Sequence, residues 1–232
     1  MDFNTVANDP RVRPFLGGSG ELDLAPLISQ SFTFEGEHGG FIVHPIMPGI
    51  YEVHSLFTPE GKGTAYDLAI ESIRAMFAGT DCARLLTKVP DSNEAAQAIA
   101  KRVGFVEEFR LEHAPGWDCG VSYQTITLEA WRNNDPECEQ AGHWFHERLE
   151  AEKRKSGSAL PVHEDDPAHD KAVGAAVLMC RAGQPEKAAA LYNLWAAFAG
   201  YAPIAVLESG ALDVGDAVIR LRGDDFEVVE CR

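Results

Sequence analysis

The stretch IYEVHSLFTPEGKGTAYDLAIESIRAMF, residues 50–77, changes its period halfway along. Its first part is a short apolar run with the alternation of a strand. Its last part sets Tyr66, Ile70, Ile73 and Phe77 at helical spacing, with Thr64 in position to cap the helix. Between them lies PEGKGTA, residues 59–65, rich in residues that break both periods. CARLLTKVP, residues 82–90, reads as a returning strand, so strand, crossover helix and strand predict a parallel pair. Glycines where a strand meets a helix clear space for a phosphate on the helix's first amides, and the plain alternative is a strand-to-helix turn that Gly61 and Gly63 relieve. Glu60, an anion, opens this loop and needs a reason to be there.

Outward from this stretch, QSFTFEG (30–36), GGFIVHPIM (39–47) and the run from residue 50 predict a three-stranded meander. SNEAAQAIAKRV (92–103) predicts a helix, and GFVEEFRLEHAP (104–115) and GVSYQTITLEAWR (120–132) predict strands that close a first region, residues 1–132. A helix and a polar connector, AEKRKSGSALPVHEDDPAHD at its end, fill 133–170. Residues 171–232 then read as a pair of helices, each ended by a C-cap glycine, and a β-hairpin turning at Gly223 and Asp224. The fold class is α/β (α+β), a mixed sheet with flanking helices followed by a smaller helical region.

Charge excludes several functions. The 232 residues carry 20 Lys and Arg against 36 Asp and Glu, a net of -16, with no basic tract, which argues against a nucleic-acid or anionic-membrane surface. The five cysteines are odd in number and without a CxxC spacing, so neither a disulfide framework nor a zinc ribbon is expected. No signal-peptide core or membrane-length apolar run is present in the sequence, and the expectation is a protein cytoplasmic when synthesised.

Residues 30–130 resemble the GNAT family of acetyl-CoA-dependent N-acetyltransferases. The resemblance rests on the strand ending LFTP, the turn EGKGTA that opens a helix, and VPDSNEAAQAIAKRVGF. It implies that main-chain amides from Leu56, Phe57 and Thr58 meet pantetheine. It further implies that Lys62, Gly63, Thr64 and Ala65 hold the pyrophosphate, and that Asn93 belongs to the cofactor site. Two positions depart from the family pattern: Glu60 stands where Gln or Arg is usual, and Ala100 where many members carry a proton-donating tyrosine. A carboxylate about 5 Å from a pyrophosphate costs roughly one to a few kcal/mol. Between residues 52 and 73 only Lys62 is basic, against Glu52, Glu60, Asp67 and Glu71.

Glu52 and His54 share a face of their strand and are the candidate bases for an amine, or else half-buried structural residues. His143, His146, Glu147, His163 and His169 crowd the middle of the chain, read as a solvated helix face rather than a metal site. Leu191, Leu194, Trp195 and Phe198 form a helical stripe, either core or docking face, and Tyr192, Trp195, Phe198 and Tyr201 are the expected contact with protein partners or further copies. The second region also resembles the C-terminal part of GNAT-like proteins encoded by tailed bacteriophages. The expectation is therefore a GNAT-fold assembly protein of a phage virion with a lapsed acetyl-CoA cleft, holding no cofactor or metal. The alternative is an acetyl-CoA-dependent N-acetyltransferase acting on an amine.

Overall fold

Gly39 and Gly40 open the second strand because nothing larger fits. A Cβ at Gly39 would lie 2.0 Å from the Leu56 carbonyl oxygen, and one at Gly40 would lie 2.1 Å from that of Phe34. These contacts bind the expected meander, β1 (Phe32–Gly36), β2 (Gly39–Met47) and β3 (Ile50–Phe57), into antiparallel ladders. The computed structural model describes residues 2–156, 166–215, 217–223 and 225–231. Two compact units emerge: residues 1–77 with 81–131, and residues 78–80 with 132–232.

In the first unit, short helices α1 (Phe3–Ala7) and α2 (Ala25–Ile28) precede the meander. After β3 come a 3-10 turn (Pro59–Gly63), α3 (Ala65–Gly79), β4 (Arg84–Pro90), α4 (Glu94–Arg102), β5 (Val106–Leu111) and β6 (Val121–Thr127). The six strands lie in the order β1-β2-β3-β4-β6-β5. β3 and β4 are parallel, as the strand–helix–strand reading predicts, but their ladder covers only Ile50–Glu52 with Arg84–Leu86. Beyond it the strands part, giving a mixed sheet that is splayed past the ladder, the arrangement that the sequence resemblance implies. Phe3, Val6, Ala7 and Val12 pack on Ile42 and Leu56, so the first residues of the chain cover one face of β2 and β3.

The sequence departs from expectation after Thr127. The run through Arg132 reads as strand, yet Leu128–Asn134 forms helix α5, because the Thr127 hydroxyl accepts from the Ala130 amide and Glu129 sits in the first turn. Trp131 on that helix is buried, stacked 5.6 Å from Phe77.

The second unit contains α6 (Pro136–Ser156), α7 (Pro167–Arg181) and α8 (Pro185–Ala199). Gly183 and Gly200 follow the last two with φ of 78° and 81°, the left-handed conformation expected of C-cap glycines. α6 and α7 touch backbone to backbone: a Cβ on Gly174 would lie 1.5 Å from the Cys138 carbonyl oxygen, and one on Gly142 would lie 2.0 Å from that of Asp170. The tail is larger than a hairpin. β7 (Ala205–Val206), β8 (Leu212–Asp213), β9 (Ala217–Arg222) and β10 (Asp225–Cys231) form a four-stranded antiparallel sheet, and Asp224 of the expected turn lies outside the described residues. Among the described residues no helix is long and apolar enough to cross a membrane.

Alanine normally gains about 1 kcal/mol over glycine inside a helix. For Gly174→Ala the overlap with Cys138 reverses the sign, and a loss of about 3 kcal/mol or more is expected in urea unfolding followed by circular dichroism. Gly63→Ala, with open space around its Cβ, should change stability by no more than about 0.5 kcal/mol.

Candidate functional site

Where β3 and β4 part, the first unit holds a cavity of about 880 Å³, within the range of small-molecule sites. Strand alternation puts Val53, Ser55 and Phe57 on one face of β3 and Glu52 and His54 on the other, and all five line the cavity, which therefore passes through the gap. On one side α3 contributes Ala65, Ala69, Ser72, Ile73 and Met76, while its acidic Asp67 and Glu71 are exposed. The Thr87 hydroxyl donates to the Val53 carbonyl at 3.0 Å, just past the last ladder pair.

Main-chain direction corrects one expectation. The Thr58 amide donates to the His38 carbonyl at 3.0 Å, so by alternation Leu56 also turns its main chain toward β2, and the Leu56 side chain is buried under the N-terminal segment. The amides facing the gap are those of Ser55 and Phe57.

The two candidate bases stand together. Glu52 Oε1 lies 3.0 Å from Lys88 Nζ, with the Glu52 side chain only 14% exposed. His54 is held below the usual imidazole range, first by burial and then by the Lys88 and His44 charges, while Glu52 pulls the other way. The net effect is a neutral imidazole at neutral pH, able to accept a proton.

The anion at the loop entrance now has an explanation. Glu60 does not line the cavity: its carboxylate meets the Arg11 guanidinium at 2.6 Å, and it is held down to about 2, first by the Thr58 hydroxyl and then by Arg11. The cavity wall carries Arg11, Lys62, Lys88 and Arg102 against one carboxylate, Glu52. The repulsive balance read from residues 52–73 is thus overturned, because the compensating cations arrive from residues 11, 88 and 102. Asp9 also pairs with Arg11, at 2.7 Å, and Arg102 stacks 3.6 Å over the Tyr66 ring. Exposed ion pairs of this kind contribute at most about 1 kcal/mol, whereas burying one large apolar side chain contributes about 1.5–3. Phe3 and Val6, not Arg11, hold the N-terminal segment in place.

The two loop glycines do different things. A Cβ on Gly61 would meet the Phe57 ring at 3.0 Å and the His38 side chain at 3.2 Å, so a larger residue there needs a small shift of its neighbours. Gly63 has neither a positive φ nor a neighbour within 4 Å of a Cβ, so the fold itself does not ask for glycine. Thr64 directly precedes α3, but its hydroxyl turns back toward the Gly61 carbonyl at 3.4 Å. Asn93 caps α4, accepting from the Ala96 amide at 3.1 Å, and lines the cavity together with the buried Ala100. Arg11, Lys88, Arg102 and Trp117 are wall residues that sequence reasoning missed. Lys88 and Arg102 lie near the ends of the strand and helix predicted at 82–90 and 92–103, a signal that could have found them, while nothing local marks Arg11.

The second unit corrects the solvated reading of its histidines. His143 is half exposed, but the His146 side chain is only 15% exposed and faces the wholly buried Asp170, while His163 lies outside the described residues. The aromatic quartet is divided. Tyr192 is buried, Trp195 and Tyr201 stack with His169, and Leu194 and Phe198 stand 61% and 88% exposed, so the stripe is not core.

No protein-family model matches the chain, and no curated protein matches it. Among solved structures it is similar to a GNAT-family acetyltransferase from Bacillus anthracis, at 19% identity and a TM-score of 0.37, over 40% of this chain and 59% of that one. It is also similar to the spermidine N-acetyltransferase SpeG from Vibrio cholerae in complex with CoA and spermine, at 24% identity and a TM-score of 0.37, over 40% of this chain and 60% of that one. The match thus spans about 60% of those chains, and likenesses of this size carry no argument about activity.

The charges around His54 set a measurable direction. In an NMR titration the His54 ring should protonate below the ordinary value of about 6.5, and Glu52→Gln should lower it further by removing the one nearby carboxylate that raises it. A rise in that variant would show that Glu52 does not face the ring.

Proposed function

We propose that the first unit is an acetyl-CoA-dependent N-acetyltransferase. The observation that carries this reading is the cavity through the parted strands, with a neutral His54 and the paired Glu52 on one face of β3 and a cationic wall beside the start of α3.

The residues present fit the cofactor. The open space at Gly63 leaves room for a pyrophosphate near the start of α3, Lys62, Arg102 and Arg11 supply cations, and the Ser55 and Phe57 amides face the gap where a pantetheine arm would pair. When bound, acetyl-CoA supplies an activated acetyl group. His54 takes a proton from the acceptor ammonium, and its burial is what keeps it free to do so. Glu52, fixed by Lys88, accepts a hydrogen bond from the same amine and orients it. Ala100 offers the wall only a methyl group, so any proton donor to the leaving thiolate would be another lining residue.

A second reading, a protein contact through α8, is supported by the exposed Leu194 and Phe198 backed by Trp195 and Tyr201. Its partner would be another copy or a protein of a larger assembly, a phage particle included. Phe198→Ser should then lower the mass measured by light scattering, if copies associate, without changing acetyl-CoA binding.

For the transferase reading, calorimetric titration of the full chain should give saturable acetyl-CoA binding that weakens with salt and with Lys62→Ala. His54→Gln should cost about 10²–10⁴ in kcat on an amine acceptor while leaving cofactor affinity unchanged. Failure of the wild type to bind acetyl-CoA at millimolar concentration would reject it.

A further inference from the structure

One side-chain cluster lies wholly in the second unit. His146 on α6 and His169 and Asp170 in the first turn of α7 each present a ligand atom, and the three atoms lie within 4.8 Å of one another. Two features of the fold bring them together. Gly142, one turn before His146, leaves no room for a Cβ against the Asp170 carbonyl, and Gly174, one turn after Asp170, leaves none against Cys138. The helices therefore meet at backbone distance, and the side chains that flank the crossing converge.

The spacing is informative. His146 Nε2 lies 3.4 Å from Asp170 Oδ1, and His143 Nδ1 lies 3.4 Å from Asp170 Oδ2. Metal bonds of about 2.0–2.1 Å in a tetrahedron set ligand atoms about 3.3 Å apart. The Asp170 side chain is fully buried and that of His146 only 15% exposed, so an ion held between them would sit largely out of water.

The His169 ring is held in advance. It stacks on Tyr201 with centroids 4.1 Å apart and planes 7° from parallel, and its Nε2 lies 3.1 Å from the Tyr192 hydroxyl. Ring support of this kind is what a ligating imidazole requires from its surroundings. Two imidazoles and one carboxylate select a first-row transition metal over calcium or magnesium, whose sites are built of oxygen.

We propose that His146, His169 and Asp170 bind one divalent transition-metal ion, with zinc the best match, clipping α6 to the start of α7. Three protein ligands leave a fourth position, and the half-exposed His143 lies 3.4 Å from the second Asp170 oxygen.

The full-length protein, treated with chelator and dialysed, is titrated with zinc by calorimetry and with cobalt by visible absorption. One ion per chain, a cobalt spectrum of tetrahedral type and a raised thermal midpoint with zinc are expected. His146→Gln should weaken zinc binding by more than a hundredfold, and Tyr192→Phe, which keeps the ring and removes only the hydroxyl near His169, by about tenfold with an unchanged circular dichroism spectrum. Absence of one-per-chain binding by the wild type, or unchanged zinc affinity in His146→Gln, overturns the proposal. Acetyl-CoA binding, measured in parallel, reports on the other unit and is expected to be indifferent to zinc.

Discussion

The first unit depends on a ladder that stops. β3 is paired with β2 along its whole length and β4 with β6 along all of its own, both antiparallel, and only three residues of each are left to the parallel pairing between them. Antiparallel ladders are somewhat stronger per residue than parallel ones, so each strand stays with its antiparallel partner as the sheet twists, and the weaker seam opens. The cavity, the gap-facing amides of Ser55 and Phe57, and the meeting of Glu52, Lys88 and His54 all follow from that opening. A continuous seam would fill the space with backbone hydrogen bonds.

Within the gap, burial and charge act on His54 in opposite senses, and burial is the larger effect. Glu52 raises the ring's proton affinity, and Lys88, paired with Glu52 at 3.0 Å, works against it together with burial. A neutral base beside an ionised acceptor is suited to handling an ammonium substrate. Remove the lysine and the same carboxylate would favour an imidazolium, which has no proton to take.

The sequence makes the strand, turn and helix of residues 50–77 legible because their signals are local: alternation, breakers and helical spacing lie side by side. The site is legible only in part, for the same reason. Glu52 and His54 fall on one face by counting, but the charge of the wall does not follow from neighbours in sequence, and a window around Glu60 misses Arg11 altogether. Likewise the histidines of α6 look solvated by composition, and what buries His146 is the approach of α7, which depends on glycines at 142 and 174 meeting the carbonyls of Asp170 and Cys138, far off in the chain. The Leu128–Asn134 helix was hidden by its β-rich opening, since a single threonine cap decides where the strand ends.

The N-terminal segment does two jobs with one piece of chain. Phe3, Val6 and Ala7 cover Ile42 and Leu56, while Arg11, Val12, Phe15 and Leu16 a few residues on belong to the cavity wall. Detaching the segment would expose core and dismantle the wall in a single event, so the equilibrium for its docking and the equilibrium for filling the cavity are thermodynamically linked. Any ligand that touches this wall draws part of its binding free energy from holding the segment down, and by reciprocity whatever loosens the first residues of the chain weakens the ligand.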